Sequence, residues 1–566
     1  MKVLIVGGVA AGASCAARIR RLDEEAEIII FEKTGYISYA NCGLPYYIGD
    51  VITDKEELTL QTPESFFQRF RIDVRVRQEV TELSSENRTV TVLDYATGKQ
   101  YRENYDRLVL APGAKAFVPR MEGMDSGRVM TLRTVEDTLK IKTYVDKEQP
   151  KSAVIAGGGY IGIEMAENLC ERGIQVTIVQ RPDQLMAPLD FDMAAMVHGM
   201  MRKKGVALKL GSSVKGFHEN KEGIETFLED DTSLQSDFVI LAVGVVPDTA
   251  FLKNSGIELG VKGSIVTNEK METSLPGVYA AGDAAEVNHF VTGERALISL
   301  AGPANKQGRI IADNICGLNS IYRGSQGSSV VKLFRMTVAT TGINEKNAKA
   351  AGIDYDYIII HPASHASYYP GARTMTMKVL FEKGSGRLLG AQIAGYDGVD
   401  KRIDVLATAI RANMKAEDLK DLDLAYAPPY SSAKDPVNMA GFVIENILTD
   451  KIRQFYYEDL EKLQKEEGVT LLDTRTEQEY IQGHIPGFIN IPLDDLRDRF
   501  GELPVEKPVY AVCQTGLRSY IACRILKQKG YETYNFTGGY RYYRTVHSEI
   551  LMREQSYPCG MEKNSK

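Results

Sequence analysis

What most constrains this 566-residue chain is one piece of local grammar used twice. The apolar run VLIV ends in Gly7-Gly8-Val9-Ala10-Ala11-Gly12 and continues into the alanine-rich ASCAARIRRL. Further on, SAVIAG ends in Gly157-Gly158-Gly159-Tyr160-Ile161-Gly162 and continues into IEMAENLCERG. A second apolar run, EIIIFE or QVTIVQ, closes each unit. Strand, glycine turn, helix and strand open a dinucleotide-binding domain, because the turn lets backbone N–H groups and a helix N-terminus face a pyrophosphate. The expected fold class is α/β with two Rossmann-like domains.

The two turns differ. In the first, Val9 stands where the strict pattern has its middle glycine, but Glu32 ends the next strand, where a carboxylate accepts hydrogen bonds from a ribose diol. The second keeps Gly157, Gly159 and Gly162, and its next strand ends in Gln180-Arg181. A neutral residue beside a cation admits a 2′-phosphate, which points to NADPH or to use of both nicotinamide nucleotides. A third landmark is GVYAAGDAAE over 277–286, where Asp283 follows an apolar run and a glycine.

Composition narrows the class. With 44% hydrophobic and 25% charged residues the chain reads as globular, and its net charge of -7 argues against general nucleic-acid binding. No apolar run approaches the roughly 20 residues that span a bilayer. The N-terminal MKVLIVGG runs into a glycine turn, so it reads as a buried first strand rather than a signal peptide, and a cytoplasmic protein without a membrane partner is expected. The seven cysteines (Cys15, Cys42, Cys170, Cys316, Cys513, Cys523, Cys559) form no CxxC pair and are expected to be free thiols. The seven histidines form no ligand-spaced cluster, so no metal is expected.

Two dinucleotide sites, with YDRLVLAPGA (105–114) and AVGVVPD (242–248) between them, make residues 1–445 resemble the two-dinucleotide-binding flavoprotein disulfide reductases. That resemblance implies FAD on the first site, with Gly7, Gly8, Gly12, Glu32, Lys33, Gly113, Asp283 and Ala304 as contacts. It implies NAD(P)H on the second, with Gly157, Gly159, Gly162 and Arg181. The second Rossmann unit is then inserted in the first, giving an FAD-binding domain over 1–112 and 248–325 and an NAD(P)-binding domain over 113–247. An α+β dimerisation domain would cover 326–446. GPANKQGR (302–309) resembles a helix start flanking the flavin.

The segment Ser38-Tyr39-Ala40-Asn41-Cys42-Gly43-Leu44-Pro45-Tyr46 holds one cysteine where glutathione-reductase-like members hold two. A lone cysteine stores two electrons only with an outside partner, as a mixed disulfide, a persulfide or a sulfenic acid. Its attack requires a thiolate, favoured by a helix N-terminus or a nearby cation. This segment is similar to the single-cysteine branch: coenzyme A disulfide reductases, NADH oxidases and NADH peroxidases. HASYYPG (365–371) and YAPPYSSAKD (426–435) resemble the first of these. The resemblance implies a homodimer with shared active sites, in which Tyr368 and Tyr426 reach the partner's Cys42 and can protonate a leaving thiolate. It implies coenzyme A contacts at Ser14, Arg18, Arg21, Ser38, Asn41 and Lys434. Arg18 and Arg21 are neighbours on one helical face, and a guanidinium binds phosphate with a directed fork of donors.

Near 447 the texture changes. Residues 447–462 read as a linker and 463–556 as a further α/β domain. LDTR (472–475), GHIPG (483–487) and CQTGLRS (513–519) come in the order seen in a single rhodanese domain, which they resemble. A loop of this kind turns several N–H groups towards the sulfur of Cys513, and Arg518 can add charge; both would favour a persulfide. Cys523 reads as core.

The expected activity is NAD(P)H-dependent reduction of coenzyme A disulfide, coenzyme A persulfide or polysulfide through FAD and Cys42, with Cys513 handling sulfane sulfur. Three alternatives stay open. One is an NADH oxidase or peroxidase working through a Cys42 sulfenic acid. Another is a sulfur-relay protein centred on Cys513. The third is a regulatory flavoprotein without turnover.

Overall fold

The computed structural model of the chain describes residues 1–555, so Cys559 and the end of the expected last domain lie outside the described residues. The chain divides into two compact units, residues 1–186 with 201–327, and residues 187–200 with those from 328 onward.

In the first unit, the strands Lys2–Val6 and Glu27–Glu32 are buried almost throughout, as β-branched runs in a parallel sheet covered on both faces should be. They lie within a five-stranded parallel sheet in the order Val278–Ala280, Arg107–Leu110, Lys2–Val6, Glu27–Glu32, Asp73–Val76. The helix Ala10–Leu22 runs against Ala301–Ile315, and both contribute to one hydrophobic core with the sheet. A second parallel sheet is built from Val129–Thr131, Phe238–Leu241, Ser152–Ala156, Gln175–Gln180 and Ala207–Leu210, in that order. The chain enters this insert along Ala114–Ala116 and leaves it along Val245–Pro247, which pair antiparallel. Each Rossmann-like sheet thus carries its own glycine turn, after Lys2–Val6 in the first and after Ser152–Ala156 in the second.

In the second unit, an antiparallel sheet in the order Ser329–Leu333, Met336–Gly342, Leu388–Gly395, Thr376–Glu382, Tyr355–Ile360 is joined by the helices Val399–Arg411 and Pro436–Leu448. A parallel sheet follows, in the order Arg453–Phe455, Thr533–Phe536, Val509–Val512, Thr470–Asp473, Ile489–Asn490. Two readings of the sequence differ from this arrangement. Arg453–Phe455, inside the segment read as a linker, is the edge strand of the last sheet. Residues 187–200, read as part of the nucleotide-binding insert, belong to the second unit. Buried charge explains the latter. Lys378 is 0% exposed and its ammonium reaches Asp192 Oδ2 at 2.7 Å, Asp190 Oδ2 at 3.1 Å and Glu345 Oε1 at 2.6 Å. Tyr542 of the last helix also donates to Asp192. An ammonium removed from water needs such partners, and two of the three carboxylates come from the 187–200 segment. No helix among the described residues is long and apolar enough to cross a membrane.

Candidate active site

Gly7 sits at φ +96°, and a Cβ there would stand 2.0 Å from the carbonyl oxygen of Ala111. Only glycine lets the first turn pass this close to the neighbouring strand end. Gly12 is equally constrained, since its Cβ would stand 1.9 Å from Gly7 O. Glu32, 6% exposed, bonds back onto the turn: its Oε2 accepts from Gly8 N–H at 3.0 Å and its Oε1 from Thr34 N–H at 2.9 Å.

These groups open onto a cavity of about 390 Å³ in the first unit. Gly7, Glu32, Lys33, Asn41, Cys42, Gly113, Asp283 and Ala304 all line it, so the structure gathers most of the expected flavin contacts in one place. Gly8 and Gly12 belong to the turn behind its wall. Lys33 is paired with Asp248. Asp283 is paired with Arg133, another lining residue, whose Nε also donates to the Ala114 carbonyl at 2.9 Å. Sequence reasoning missed Arg133; its one signal was its place just before the Thr134–Asp137 capping box that starts the helix Val135–Glu148. The site fits FAD in shape and donors: a glycine turn at one end, the carboxylate of Glu32 beside it where a ribose contact is expected, and Asn41 Oδ1 buried without a hydrogen-bond partner in the wall next to Cys42. A donor on a bound molecule would satisfy that oxygen.

Cys42 is an exposed free thiol on the short turn Asn41–Gly43, and the one cysteine among the residues lining the cavity. Desolvation by the cavity walls pushes its pKa up, as do the carboxylates of Glu164 and Asp283, while Arg133 pulls it down. The cation expected near this thiol is therefore present as Arg133, but partial desolvation by the cavity walls and the two acids outweigh it. Glu164 is unusual too: burial and then Glu167 push it up to about 7, with a hydrogen bond from Tyr46 acting the other way.

Beside the cavity, Ser14, Arg18, Arg21 and Ser38 line a separate groove of about 380 Å³. Asn41 is not in it; it faces the cavity with Cys42. Arg18 is held by Asp313, Nε to Oδ1 at 2.8 Å, which offsets the positive charge expected of it. The structure supplies two more cations to the groove, Arg69 and Arg309, with Asn305 bonded to Ser14. Neither arginine had a spacing signal linking it to Arg21. Lys434 is exposed on the second unit.

At the second glycine turn, Gly157 is at φ +113° and Gly159 caps the helix Tyr160–Glu171 with no side-chain cap bond, leaving the helix N-terminus open to an anion. Gly162 packs against Gly157 O as Gly12 does against Gly7 O. Gln180 Oε1 accepts from Gly158 N–H at 2.8 Å, taking the place Glu32 has in the first turn. Arg181 is exposed at the strand end.

In the second unit, Tyr368 and Tyr426 meet: their hydroxyls are 2.7 Å apart and both side chains are exposed. Tyr426 is pushed up by that bond. Arg402, 1% exposed and not marked by the sequence, joins their two loops. It donates to Ser364 O at 2.9 Å on one side and to Asp435 Oδ2 at 2.9 Å on the other, while Ala366 N–H donates to Ser431 O.

Cys513 begins the expected loop and is buried. Its Sγ accepts from Gly516 N–H at 3.1 Å and from the Ser519 hydroxyl at 3.3 Å. Ser519, the last residue of the loop motif, is thus a second donor to the sulfur. Arg518, expected to add charge to the sulfur, grips Glu479 with two bonds of 2.7 Å and also interacts electrostatically with Cys513. That guanidinium holds Glu479 down at about 2. Arg475 is likewise structural: it bonds Asp473 and the Gly483 carbonyl and stacks 3.9 Å over the Tyr540 ring. Cys523 is buried, as expected of a core residue.

Comparison with known proteins agrees with this construction. Residues 1–308 match the pyridine nucleotide-disulphide oxidoreductase family, 328–436 its dimerisation domain and 457–545 the rhodanese-like domain. The coenzyme A disulfide reductase of Staphylococcus epidermidis is 38% identical over 442 residues, 78% of this chain and 99% of that protein. The crystal structure of reduced Bacillus anthracis CoADR-RHD superposes with a TM-score of 0.95 at 49% identity, covering 97% of this chain and 98% of that one. An NAD-dependent persulfide reductase from A. fulgidus superposes with a TM-score of 0.89 at 35% identity, covering 96% and 100%. The chain belongs to the pyridine nucleotide-disulphide oxidoreductase family, with that family's dimerisation domain and a rhodanese-like domain following its two dinucleotide-binding domains.

Proposed function

We propose that the chain is an FAD-dependent oxidoreductase that spends NAD(P)H to reduce coenzyme A disulfide or coenzyme A persulfide, as a cytoplasmic homodimer. The observation that carries this reading is Cys42: a single thiol in the wall of the cavity that fits FAD, beside a groove bearing Arg21, Arg69 and Arg309. A lone thiol must take its partner sulfur from a substrate. Arginines in a groove of this kind would hold that substrate by phosphate. The relatives support the same choice, one being a coenzyme A disulfide reductase and another a persulfide reductase.

When bound, FAD supplies a two-electron carrier between NAD(P)H and sulfur. Gly7, Glu32, Lys33, Gly113, Asp283 and Ala304 would hold it, and Gly157, Gly159, Gly162 and Arg181 would hold the nicotinamide nucleotide. The Cys42 thiolate attacks one sulfur of the substrate, breaking its S–S bond and releasing coenzyme A thiolate or sulfide. Two electrons then split the mixed disulfide or persulfide left on Cys42 and return its thiolate. The Tyr368–Tyr426 pair would give a proton to the leaving sulfur of the partner subunit's site. Cys513 would take sulfane sulfur, its Sγ facing two donors that favour an anionic sulfur; polysulfide fits the same chemistry.

Mass spectrometry of the Cys42 peptide after exposure to coenzyme A disulfide tests the reading. A thiol-removable adduct of coenzyme A mass is expected, together with NAD(P)H oxidation that Cys42→Ser abolishes. Turnover of peroxide or oxygen without any coenzyme A adduct would instead favour a sulfenic-acid oxidase or peroxidase.

A further inference from the structure

The cradle around Cys513 does not stand by itself. Behind it runs the turn Gly538-Gly539, with both residues left-handed at φ +77° and +63°. A Cβ on Gly539 would stand 2.6 Å from Cys513 O and 2.8 Å from the backbone nitrogens of both Thr515 and Gly516. The turn therefore lies directly against the peptide groups that shape the loop, including the N–H that reaches Sγ. It is also bonded to them: Tyr540 N–H donates to Cys513 O at 2.8 Å and Arg541 N–H to Gln514 O at 3.0 Å.

The other side of the turn is held from the dimerisation domain. Ile359 N–H donates to Thr537 Oγ1 at 2.9 Å, and His361 Nε2 lies 2.9 Å from Gly538 O. A carbonyl can only accept, so Nε2 carries the proton. In a neutral ring Nδ1 is then an acceptor, and it lies 3.0 Å from the Thr376 hydroxyl, which donates to it. Desolvation, and then the nearby Arg541 guanidinium, hold His361 down at about 4, so the neutral ring and its tautomer persist at working pH.

We propose that His361, oriented by Thr376, is a positioning residue for the Cys513 sulfur cradle. By fixing the Gly538 carbonyl it keeps Gly539 pressed against the loop that presents its donors to sulfur. Sulfur handling at Cys513 is thus set from the dimerisation domain rather than within the rhodanese-like segment alone. This rests on the reading of Cys513 as a sulfane-sulfur carrier. In the reaction used to test it, the Cys513 thiolate attacks the outer sulfur of thiosulfate, the S–S bond breaks, sulfite leaves and Cys513–S–S⁻ forms. Cyanide then takes the outer sulfur as thiocyanate and restores the thiolate.

The test uses full-length, flavin-loaded protein carrying His361→Ala, His361→Gln or Thr376→Val. Two quantities are measured: the pH dependence of Cys513 alkylation by iodoacetamide, read on its peptide by mass spectrometry, and thiosulfate-to-cyanide turnover. His361→Ala is expected to raise the apparent Cys513 thiol pKa by about one unit and to lower sulfur-transfer kcat about tenfold, with KM within about twofold. NAD(P)H oxidation with coenzyme A disulfide should stay near the wild-type rate. His361→Gln keeps an N–H able to reach Gly538 O and should recover most of the loss. Thr376→Val, which removes only the hydroxyl that orients the ring, should fall between and carries the same test should His361→Ala not fold. An alkylation profile in these variants that superimposes on wild type overturns the positioning role. Wild-type protein that transfers no sulfur while the alkylation shift still appears would overturn the reading of Cys513 and leave the positioning role standing.

Discussion

Ser519→Ala should make Cys513 a weaker acid and a slower nucleophile, and the size of the change can be worked from its surroundings. Two donors reach Sγ, Gly516 N–H at 3.1 Å and Ser519 Oγ–H at 3.3 Å, and Ser519 is 0% exposed. A hydrogen bond to a charged group contributes about 1.5–3 kcal/mol, and the long contact to a soft acceptor places this one near the low end. The bond favours the thiolate, so its removal raises the thiol pKa. About 1.5 kcal/mol at 1.36 kcal/mol per unit is about one unit, or a tenfold loss of thiolate at any pH well below the midpoint. The assay is the rate of Cys513 alkylation against pH. The curve for Ser519→Ala should shift to higher pH by about one unit and converge with wild type once both thiols are ionised. Sulfur transfer at neutral pH should fall in parallel. A curve that keeps its midpoint but drops at every pH would refute the reasoning, because it would mean the hydroxyl governs access to the sulfur and not its charge.

Other perturbations follow from the same structure. Lys378→Met leaves Asp190, Asp192 and Glu345 without their shared cation, and breaking a buried pair costs about 3–5 kcal/mol; a clear fall in the denaturant midpoint should be seen, and an unchanged one would count against the burial argument. Glu164 has a folded pKa of about 7, above its unfolded value, so its contribution to stability is present at acid pH and lost as pH rises through 7. Glu164→Gln should therefore stabilise the fold by about 2 kcal/mol at pH 8 and hardly at pH 4, and should bring the Cys42 thiol down, as urea unfolding and Cys42 alkylation would report. Arg69→Ala with Arg309→Ala should raise KM for coenzyme A disulfide at least tenfold with little change in kcat, and should weaken its salt dependence. Arg402→Met should loosen both tyrosine loops at once, and steady-state kinetics should show a loss no smaller than that of Tyr368→Phe.

The elements most legible in the sequence were those whose cause is local. Gly7 and Gly157 were readable because a strand that turns directly into a helix needs a positive φ and room for a neighbouring carbonyl within a few residues. The lone Cys42 and the loop from Cys513 to Ser519 were readable for a similar reason, since each motif lies within one short segment. The engagement of Arg18 by Asp313 and of Arg518 by Glu479 was not. Both arginines stood where a substrate or sulfur contact was expected, and nothing nearby in the chain indicated that a carboxylate would meet them. Arg453–Phe455 was hidden differently: a three-residue edge strand is too short to show alternation beside charged neighbours.

By itself, then, the amino-acid order determined the two nucleotide-binding turns, the single thiol and the sulfur loop, because backbone geometry and short motifs act over a handful of residues. Tertiary structure alone decided which charges are neutralised, and which remain for a ligand. Lys378 meets Asp192 across 186 positions of chain, His361 meets Gly538 across 177, and neither spacing leaves a period to read. Such pairs form only after desolvation forces a buried polar group to find a partner, and which partner it finds depends on how the sheets and helices have already packed.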